Sequence, residues 1–570
     1  MNMDMLVIDA FVYNSYYKKF IKGNTAIKNG KFFYVGNRGL ETFEAKEVID
    51  GSGKYMIPGL IDIHLHIEST MVTPATFSFG LIKNGVTTIV PEPHEMANVF
   101  GIAGVKEMVK ASKNCIVDMF YAIPSSVPAT SMETTGGAIE IQDIDELMET
   151  EQIKCLGEIM NYYDVITDPQ CKTNKILSHI RKNYPELIIE GHVPKLLDLE
   201  LQTLIFAGVN SDHTHQSVEG MQERIAAGMF LEIQEKSMTK EVIDYLKEHQ
   251  VDEHFCFVTD DVMADSLQNR GHLNVLLKKA IKMGMTPEKA IYACTYTAAQ
   301  RMRMYDRGAI ASGKVADFLL VSDLANFEIE KVYKKGMQVY DCSEVCNQPS
   351  ISRQFPEQFY QSVKLNELTE DDFTIRLVET EGKVNGRIIH VKNGSTFTEE
   401  KQGNFAVKEG QLQWEDSSSC LIKTFERYGK NGNSAFGLIS GDIIKRGAVA
   451  TTYSHDNHNL LVVGKNKKDM VKAANEVIKQ QGGICCVEDG EVLSMVPLPV
   501  GGILSEEPLD IISKQVEELT TSLRSLGYEH YNIIMSLSTL SLPVSPALKI
   551  TDYGLINVNE GRVVPFIIEN

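Results

Sequence analysis

The stretch PGLIDIHLHIEST at 58–70 sets His64 and His66 two residues apart after an apolar run, with Glu68 just beyond. In an extended strand, residues i and i+2 project to the same side, about 7 Å apart along the backbone. Both imidazoles can therefore converge on one ion. Alone, a His-x-His pair is a weak signal, but four further apolar runs end in the same residue types. IKCLGEIM carries Glu158, LIIEGH His192, GVNSDH His213, and FCFVTDD Asp260 with Asp261. Buried imidazoles and carboxylates without partners would cost several kcal/mol each, so a shared metal is the economical explanation. Imidazole plus carboxylate without thiolate suits Zn²⁺, Mn²⁺ or Fe²⁺ and argues against a soft metal or an all-oxygen calcium site. Four histidines and two acids exceed one tetrahedral shell, so two ions are expected, bridged by the two oxygens of Glu158. Such a centre generates a hydroxide nucleophile at neutral pH and polarises a C=N or C=O bond. Asp260 is suited to take the proton of the attacking water and hand it to the leaving group.

These residues need a scaffold that gathers strand ends. From Pro58 onward, apolar strand candidates end near His66, Pro91, Tyr121, Glu158, His192, His213, Glu232 and Asp260, mostly 20–40 residues apart. That is the repeat of βα units, and eight of them predict an α/β chain built on a (β/α)8 TIM-like barrel. Its active site is expected at the C-terminal strand ends. Thr286 and Pro287 have the right identities for a helix N-cap and first turn. Before residue 58 the pattern is short strands with Asn-Gly turns, and it returns near RGAIASGKVADFLLVSDL. A small β-sandwich domain is therefore expected from 1–57 with 302–345, around a barrel at 58–301. A linker is expected at 346–365 and an α+β domain at 366–570. In that last domain KDMVKAANEVIKQQ reads as a helix with Met470, Val471, Ala474, Val477 and Ile478 on one face. Gly482–Gly483 stop it, and a hairpin turns at Asp489–Gly490.

Composition bounds the partners. The 570 residues are 43% hydrophobic and 23% charged, with a net charge of −20, and no Lys/Arg cluster suggests contact with nucleic acid or an anionic membrane. No apolar run reaches the ~18 residues of a membrane span, and MNMDMLVIDAF lacks the basic start of a signal peptide. The ten cysteines have no disulfide or zinc-finger spacing, Cys342/Cys346 and Cys485–Cys486 included. A cytoplasmic protein with reduced thiols is expected. His179, His249, His254 and His530, in polar contexts, are expected on the surface.

The series PGLIDIHLHIEST, GVTTIVPEPHEMANVFG, GEIMN, EGHVP, SDHTHQS and TDD resembles the amidohydrolase superfamily. Together with SHDNHNLLVVG and LPLPVGGILSEEP it resembles, over nearly the whole chain, the bacterial and archaeal adenine deaminases. The resemblance implies hydrolysis of adenine to hypoxanthine and ammonia by a metal-activated hydroxide attacking C6, in purine salvage or catabolism. It implies a binuclear Mn²⁺ or Fe²⁺ centre, ahead of Zn²⁺, with a glutamate where many relatives carry a carboxylated lysine. His64, His66, Glu158, His192, His213 and Asp260 then match the metal ligands. Asp260, Glu158 and His213 take the catalytic roles, and a homo-oligomer, dimer or higher, is expected. Glu68, His94, Glu95, Asp261, His215, His455 and Asp456 are candidates for substrate contact or for orienting the ligands. The family tends to have His-Glu where this chain has His213–Thr214–His215, and MNFPGV where it has MNYYDV. A dihydroorotase- or hydantoinase-type enzyme would usually place lysine at the position of Glu158. A cytidine-type zinc deaminase would need a His-x-Glu…Pro-Cys-x-x-Cys signature that is absent. A barrel that only binds metal or purine would have no need of an acid at Asp260.

Overall fold

The computed structural model describes residues 1–38, 40–344 and 353–569; residues 346–352 of the expected linker, with Cys346, lie outside them. Eight parallel strands form a barrel: Leu60–Leu65, Val86–Pro91, Asp118–Met119 continued as Tyr121–Ile123, Ile153–Ile159, Ile188–Gly191, Ser211–Asp212, Phe230–Ile233 and Phe255–Phe257. The Asn210 amide donates to Ile189 O at 3.1 Å, joining the fifth and sixth strands. A parallel bridge between Leu65 and Asp260 brings the eighth back to the first. Helices follow the strands, among them Pro74–Ile82, Lys172–Asn183, Lys240–Glu248 and Leu273–Lys282. Strands covered on both faces by barrel interior and helices read as unbroken apolar runs, and every residue of Leu60–Leu65 and Val86–Pro91 is buried. Pro287–Ala293 begins as its sequence dictates, with the Thr286 side chain accepting from the Lys289 amide and Pro287 in the first turn.

The N-terminal and post-barrel strands share one eight-stranded sheet, in which Phe318–Asp323 pairs antiparallel with Tyr55–Pro58. Its Lys19–Lys28/Lys31–Gly36 hairpin turns on Asn29 and Gly30, at φ 52° and 72°, the pairing a tight primed turn requires. The C-terminal part is built on a nine-stranded sheet backed by the helices Lys467–Lys479 and Leu509–Ser525. On the first of these Met470, Ala474, Val477 and Ile478 are buried. Residues 353–365 do not hang free, because Phe355, Phe359, Tyr360 and Val363 are buried. His530, expected on the surface, is 5% exposed, since its two ring nitrogens contact the Asn532 and Ser395 carbonyls at 2.8 and 3.0 Å.

Two contacts seat the C-terminal part at the barrel mouth. The Ser505 amide donates to Met71 O at 2.8 Å, and the Thr73 amide to Ser505 O at 3.2 Å. Fully buried Arg427 donates to Ser362 Oγ at 2.6 Å, to Gly501 O at 2.7 Å and to His458 O, so its fork holds the turn that carries His455 and Asp456. At the other end of the barrel, Lys334 contacts Asp317 at 2.6 Å, Asp118 at 2.9 Å and Thr87 O at 3.0 Å. It is 4% exposed. Removing one partner of a buried pair leaves the other charge uncompensated. Lys334→Ala is expected to cost about 3 kcal/mol, seen as a lower urea midpoint. Lys392→Ala, at an exposed pair with Glu399, is expected to leave the urea midpoint unchanged, because solvent screens such a pair.

Candidate metal centre

Five of the eight strand ends deliver one or two groups each to the same space. The first strand brings His64 and His66, the fourth Glu158, and the chain after the fifth, sixth and eighth strands His192, His213 and Asp260. Glu158 is the hub. Its Oε1 lies 3.6 Å from His66 Nε2, and its Oε2 lies 3.1 Å from His192 Nδ1 and 3.2 Å from His213 Nε2. Asp260 Oδ1 stands 3.5 Å from His66 Nε2 and 3.8 Å from His64 Nε2. The His64 and His213 rings stack with centroids 3.8 Å apart. All these residues except His192 and Asp260 are at most 4% exposed.

Hydrogen bonds from the strands orient the set. Asp62, buried beneath His64, accepts from Thr259 Oγ1 at 2.7 Å and from the His64 amide at 3.3 Å, tying the first strand to the eighth. The Asp260 amide donates to His64 O at 3.1 Å, and Asp260 takes a left-handed φ of 60°. His272 contacts Thr259 Oγ1 at 3.1 Å and so supports this anchor. His66 Nδ1 lies 3.2 Å from Glu92 O, a contact that directs Nε2 into the cluster.

Electrostatics follow from burial. Burial disfavours charge on His64 and lowers its pKa to about 3. For His66 the same burial is outweighed by Asp260, Asp261 and Glu158, which raise it to about 10. Glu158 and Asp260 are both lowered, because the histidines around them overcome the cost of burial; both are carboxylates at neutral pH.

The donor set fits a divalent ion. Buried His64 Nε2, facing Asp260, has no hydrogen-bond partner. His64, His66 and Glu158 offer ligand atoms within 4.8 Å of one another, as do Glu158, His192 and His213, and His66, Asp260 and Asp261. Imidazole and carboxylate donors at such separations are those of Zn²⁺, Mn²⁺ or Fe²⁺ sites.

The remaining candidates divide. Glu68 is buried, accepts from the Met96 amide at 3.3 Å and is raised to about 7 by burial. Asp261 is exposed and accepts from Ser69 Oγ at 2.5 Å. His94, Glu95, His455 and Asp456 come together as a second group beside His66. The structure leaves His215 exposed and apart from the cluster. The strand stops at Asp212, whose carboxylate accepts from the Thr214 amide at 2.9 Å, and that turn carries His215 outward.

Three acids of the site escaped the sequence reading. Glu232, at the end of the seventh strand, groups with His64 and His213; an apolar run ending in an acid was a signal for it too. Glu190 accepts from Ser211 Oγ at 2.5 Å and pairs with Arg301 at 2.7 Å. Glu92 accepts from the Glu158 amide at 2.7 Å, and burial raises it to about 8.

A (β/α)8 barrel with a His-x-His pair on its first strand and further His and acid side chains gathered at its strand ends defines a metal-dependent amidohydrolase. The amidohydrolase family model matches residues 55–339, and the adenine deaminase C-terminal domain matches residues 395–562. The chain is 61% identical over 569 residues to adenine deaminase 2 of Shouchella clausii (strain KSM-K16), covering 100% of this chain and 99% of that one. It is 50% identical over 570 residues to an adenine deaminase of Clostridium perfringens (strain ATCC 13124), covering 99% of both. A solved beta-aspartyl dipeptidase from Fervidobacterium islandicum AW-1 aligns at TM-score 0.47 and 19% identity, over 60% of this chain and 98% of that one. The chain belongs to the adenine deaminase family of amidohydrolases.

Gly157 leaves the room that Glu92 needs, since a Cβ there would lie 2.3 Å from the Glu92 carboxyl carbon. Gly157→Ala is expected to push Glu92 off the Glu158 amide and to lower metal content. Turnover should fall about 10²-fold, the usual cost of misplacing a reacting group by an ångström; metal analysis and steady-state rates check both.

Proposed function

We propose that the chain hydrolyses adenine to hypoxanthine and ammonia, using the cluster at the barrel mouth. The observation that carries the reading is the placement of Glu158, with one oxygen toward His66 and the other toward His192 and His213. That arrangement supports a two-ion centre, which Glu158 would hold together with His64 and His66 on one side and His192 and His213 on the other, with Asp260 completing the set. The membership of the family supports a divalent metal; within that class we assign Mn²⁺ or Fe²⁺, ahead of Zn²⁺. When bound, the metal supplies Lewis acidity, lowering the pKa of a water and polarising the reacting bond.

The residues of the chain do the rest. The C6–O bond forms as the C6–N bond breaks, so one proton must leave the attacking water and reach the departing amine. Asp260, ionised at neutral pH and at the edge of the cluster, is the group that takes and returns it. Glu158 and His213 hold the reacting centre, and Glu92 fixes Glu158 through its amide. Glu68 lines the wall beneath His94, and Asp261 orients the Ser69 segment next to His66. A cyclic-amide hydrolase is disfavoured by Glu158 itself, which stands where lysine would be usual.

We assign 1–57 with 302–345 to the small β domain, 58–301 to the catalytic barrel, 346–365 to the connection and 366–570 to the C-terminal domain. Exposed Leu199 and Phe206 on one helix, with Tyr163 on the neighbouring one, support a homo-oligomer. No described helix is long and apolar enough to cross a membrane. The nine described cysteines are all free, which supports a cytoplasmic location.

The test is a steady-state assay of protein reconstituted with Mn²⁺, reading hypoxanthine and ammonia. His64→Ala and Glu158→Gln are each expected to lose metal and activity together. Asp260→Asn should keep most of its metal and lose about 10²–10⁴-fold in kcat, the range of a general acid–base group. Full activity in a metal-replete Asp260→Asn enzyme would remove Asp260 from the proton-transfer role.

A further inference from the structure

The segment 124–138 connects the third barrel strand to the helix Ile141–Leu147 and has neither helix nor strand of its own. Connections of that length without secondary structure are uncommon in compact domains and usually serve a site. This one is anchored at both ends by side-chain hydrogen bonds. At its start, the ladder between the third and fourth strands ends at Ile123 and Leu156. Beyond that point Ser125 Oγ donates to Glu158 O at 2.7 Å, and Ser126 Oγ donates to the same carbonyl at 3.3 Å. Ser126 Oγ also accepts from the Met160 amide at 3.2 Å. Two buried serines thus hold the backbone of Glu158 and Met160 where the third strand no longer does.

The far end is gripped by the C-terminal domain. Thr134 commits every polar group it has. Its amide donates to Asp552 Oδ1 at 2.9 Å and its hydroxyl to Asp552 Oδ2 at 2.6 Å. The hydroxyl accepts from Asn431 Nδ2 at 2.9 Å, and the carbonyl accepts from Asn459 Nδ2 at 2.8 Å. On either side, Thr551 Oγ1 donates to Met132 O at 2.5 Å and Lys430 Nζ to Thr135 O at 2.7 Å. Asp552 and Thr134 are both buried, so a partner lost here is not replaced by water and its absence is costly. The segment is also packed tightly against the end of the helix His94–Phe100. A Cβ on Gly136 would lie 2.2 Å from Val99 O, and one on Gly137 1.9 Å from the Gly101 nitrogen.

We propose that Asp552 and Thr134 are positioning residues for the metal centre, through which the C-terminal domain fixes the place of Glu158. The inference rests on the role given to Glu158 above. Asp552 touches no reacting group. It holds Thr134, the packed segment carries that constraint to Ser125, and Ser125 holds the Glu158 carbonyl. Each link is a buried hydrogen bond or a close backbone contact, so a displacement at Thr134 is passed on rather than absorbed. Removing the groups that orient a metal-holding side chain costs about 10- to 100-fold in affinity for the ion.

Mn²⁺ affinity of the full-length enzyme, read from the electron paramagnetic resonance signal of the free ion during titration, tests the link. Circular dichroism checks that each variant folds. Asp552→Ala and Ser125→Ala are each expected to weaken Mn²⁺ binding about 10- to 100-fold. The double variant should bind no more weakly than the worse single one, because both substitutions cut the same chain of contacts. Asp552→Asn keeps an acceptor for the Thr134 amide and should recover most of the affinity. Thr134→Val, close in shape to the native residue, should lose about tenfold and decides the question if Asp552→Ala does not fold. Lys334→Ala, at the other end of the barrel, should lower the urea midpoint and leave Mn²⁺ affinity unchanged, which separates positioning from general stability. The proposal is overturned if folded Thr134→Val and Asp552→Ala bind Mn²⁺ as the unsubstituted enzyme does, or if the losses add in the double variant. Either result leaves the barrel assignment standing as long as Glu158→Gln loses its metal; full affinity in Glu158→Gln overturns both.

Discussion

Glu158 is the group on which the barrel mouth depends. A carboxylate buried among imidazoles is stable only if its charge is shared, and here one oxygen faces His66 and the other His192 and His213. That sharing requires four strand ends to agree in height and direction within about an ångström. The backbone arranges it. Asp62 and Thr259 lock the first strand to the eighth, Glu92 holds the Glu158 amide, and Gly157 leaves the space Glu92 occupies. Each of these buried acids would be costly alone. Together they are compensated by amides, hydroxyls and imidazoles, so the polar end of the barrel is one hydrogen-bonded unit rather than a row of independent ligands.

The C-terminal domain is part of that unit. Arg427 gives its donors to Ser362, Gly501 and His458, tying a connecting segment and two loops of the C-terminal part to one another, while Ser505 bonds to Met71 and Thr73 of the barrel. Glu95, on a barrel helix, contacts both His455 and His458. Residues from positions more than 360 apart thus meet in one buried polar layer. The C-terminal domain thereby covers the histidine and acids after the second strand, which are buried.

What was legible in the sequence was whatever short-range periodicity controls. Apolar runs at βα spacing announced the barrel, because strands covered on both faces must be apolar along their length. Polar residues breaking those runs at their last position marked His64, His66, Glu158, His192, His213 and Asp260, because an uncompensated polar group there would be too costly. The Asn29–Gly30 turn and the Thr286–Pro287 helix start were legible for the same local reason. Acids that act through a neighbour were harder to see: Glu92 sits between prolines, and its partner, the Glu158 amide, is 66 residues away.

Tertiary structure alone decided the rest. His215 has the spacing of a ligand but turns outward on the Asp212 carboxylate, and His530 looks solvated in sequence but is buried against two carbonyls. Most of all, His94, Glu95, His455 and Asp456 carry no mutual signal along the chain. Their meeting depends on how one domain docks on another, which is set by the summed packing of both surfaces. The amino-acid pattern determined the strand ends and their chemistry; only the docked fold determined which distant side chains share them.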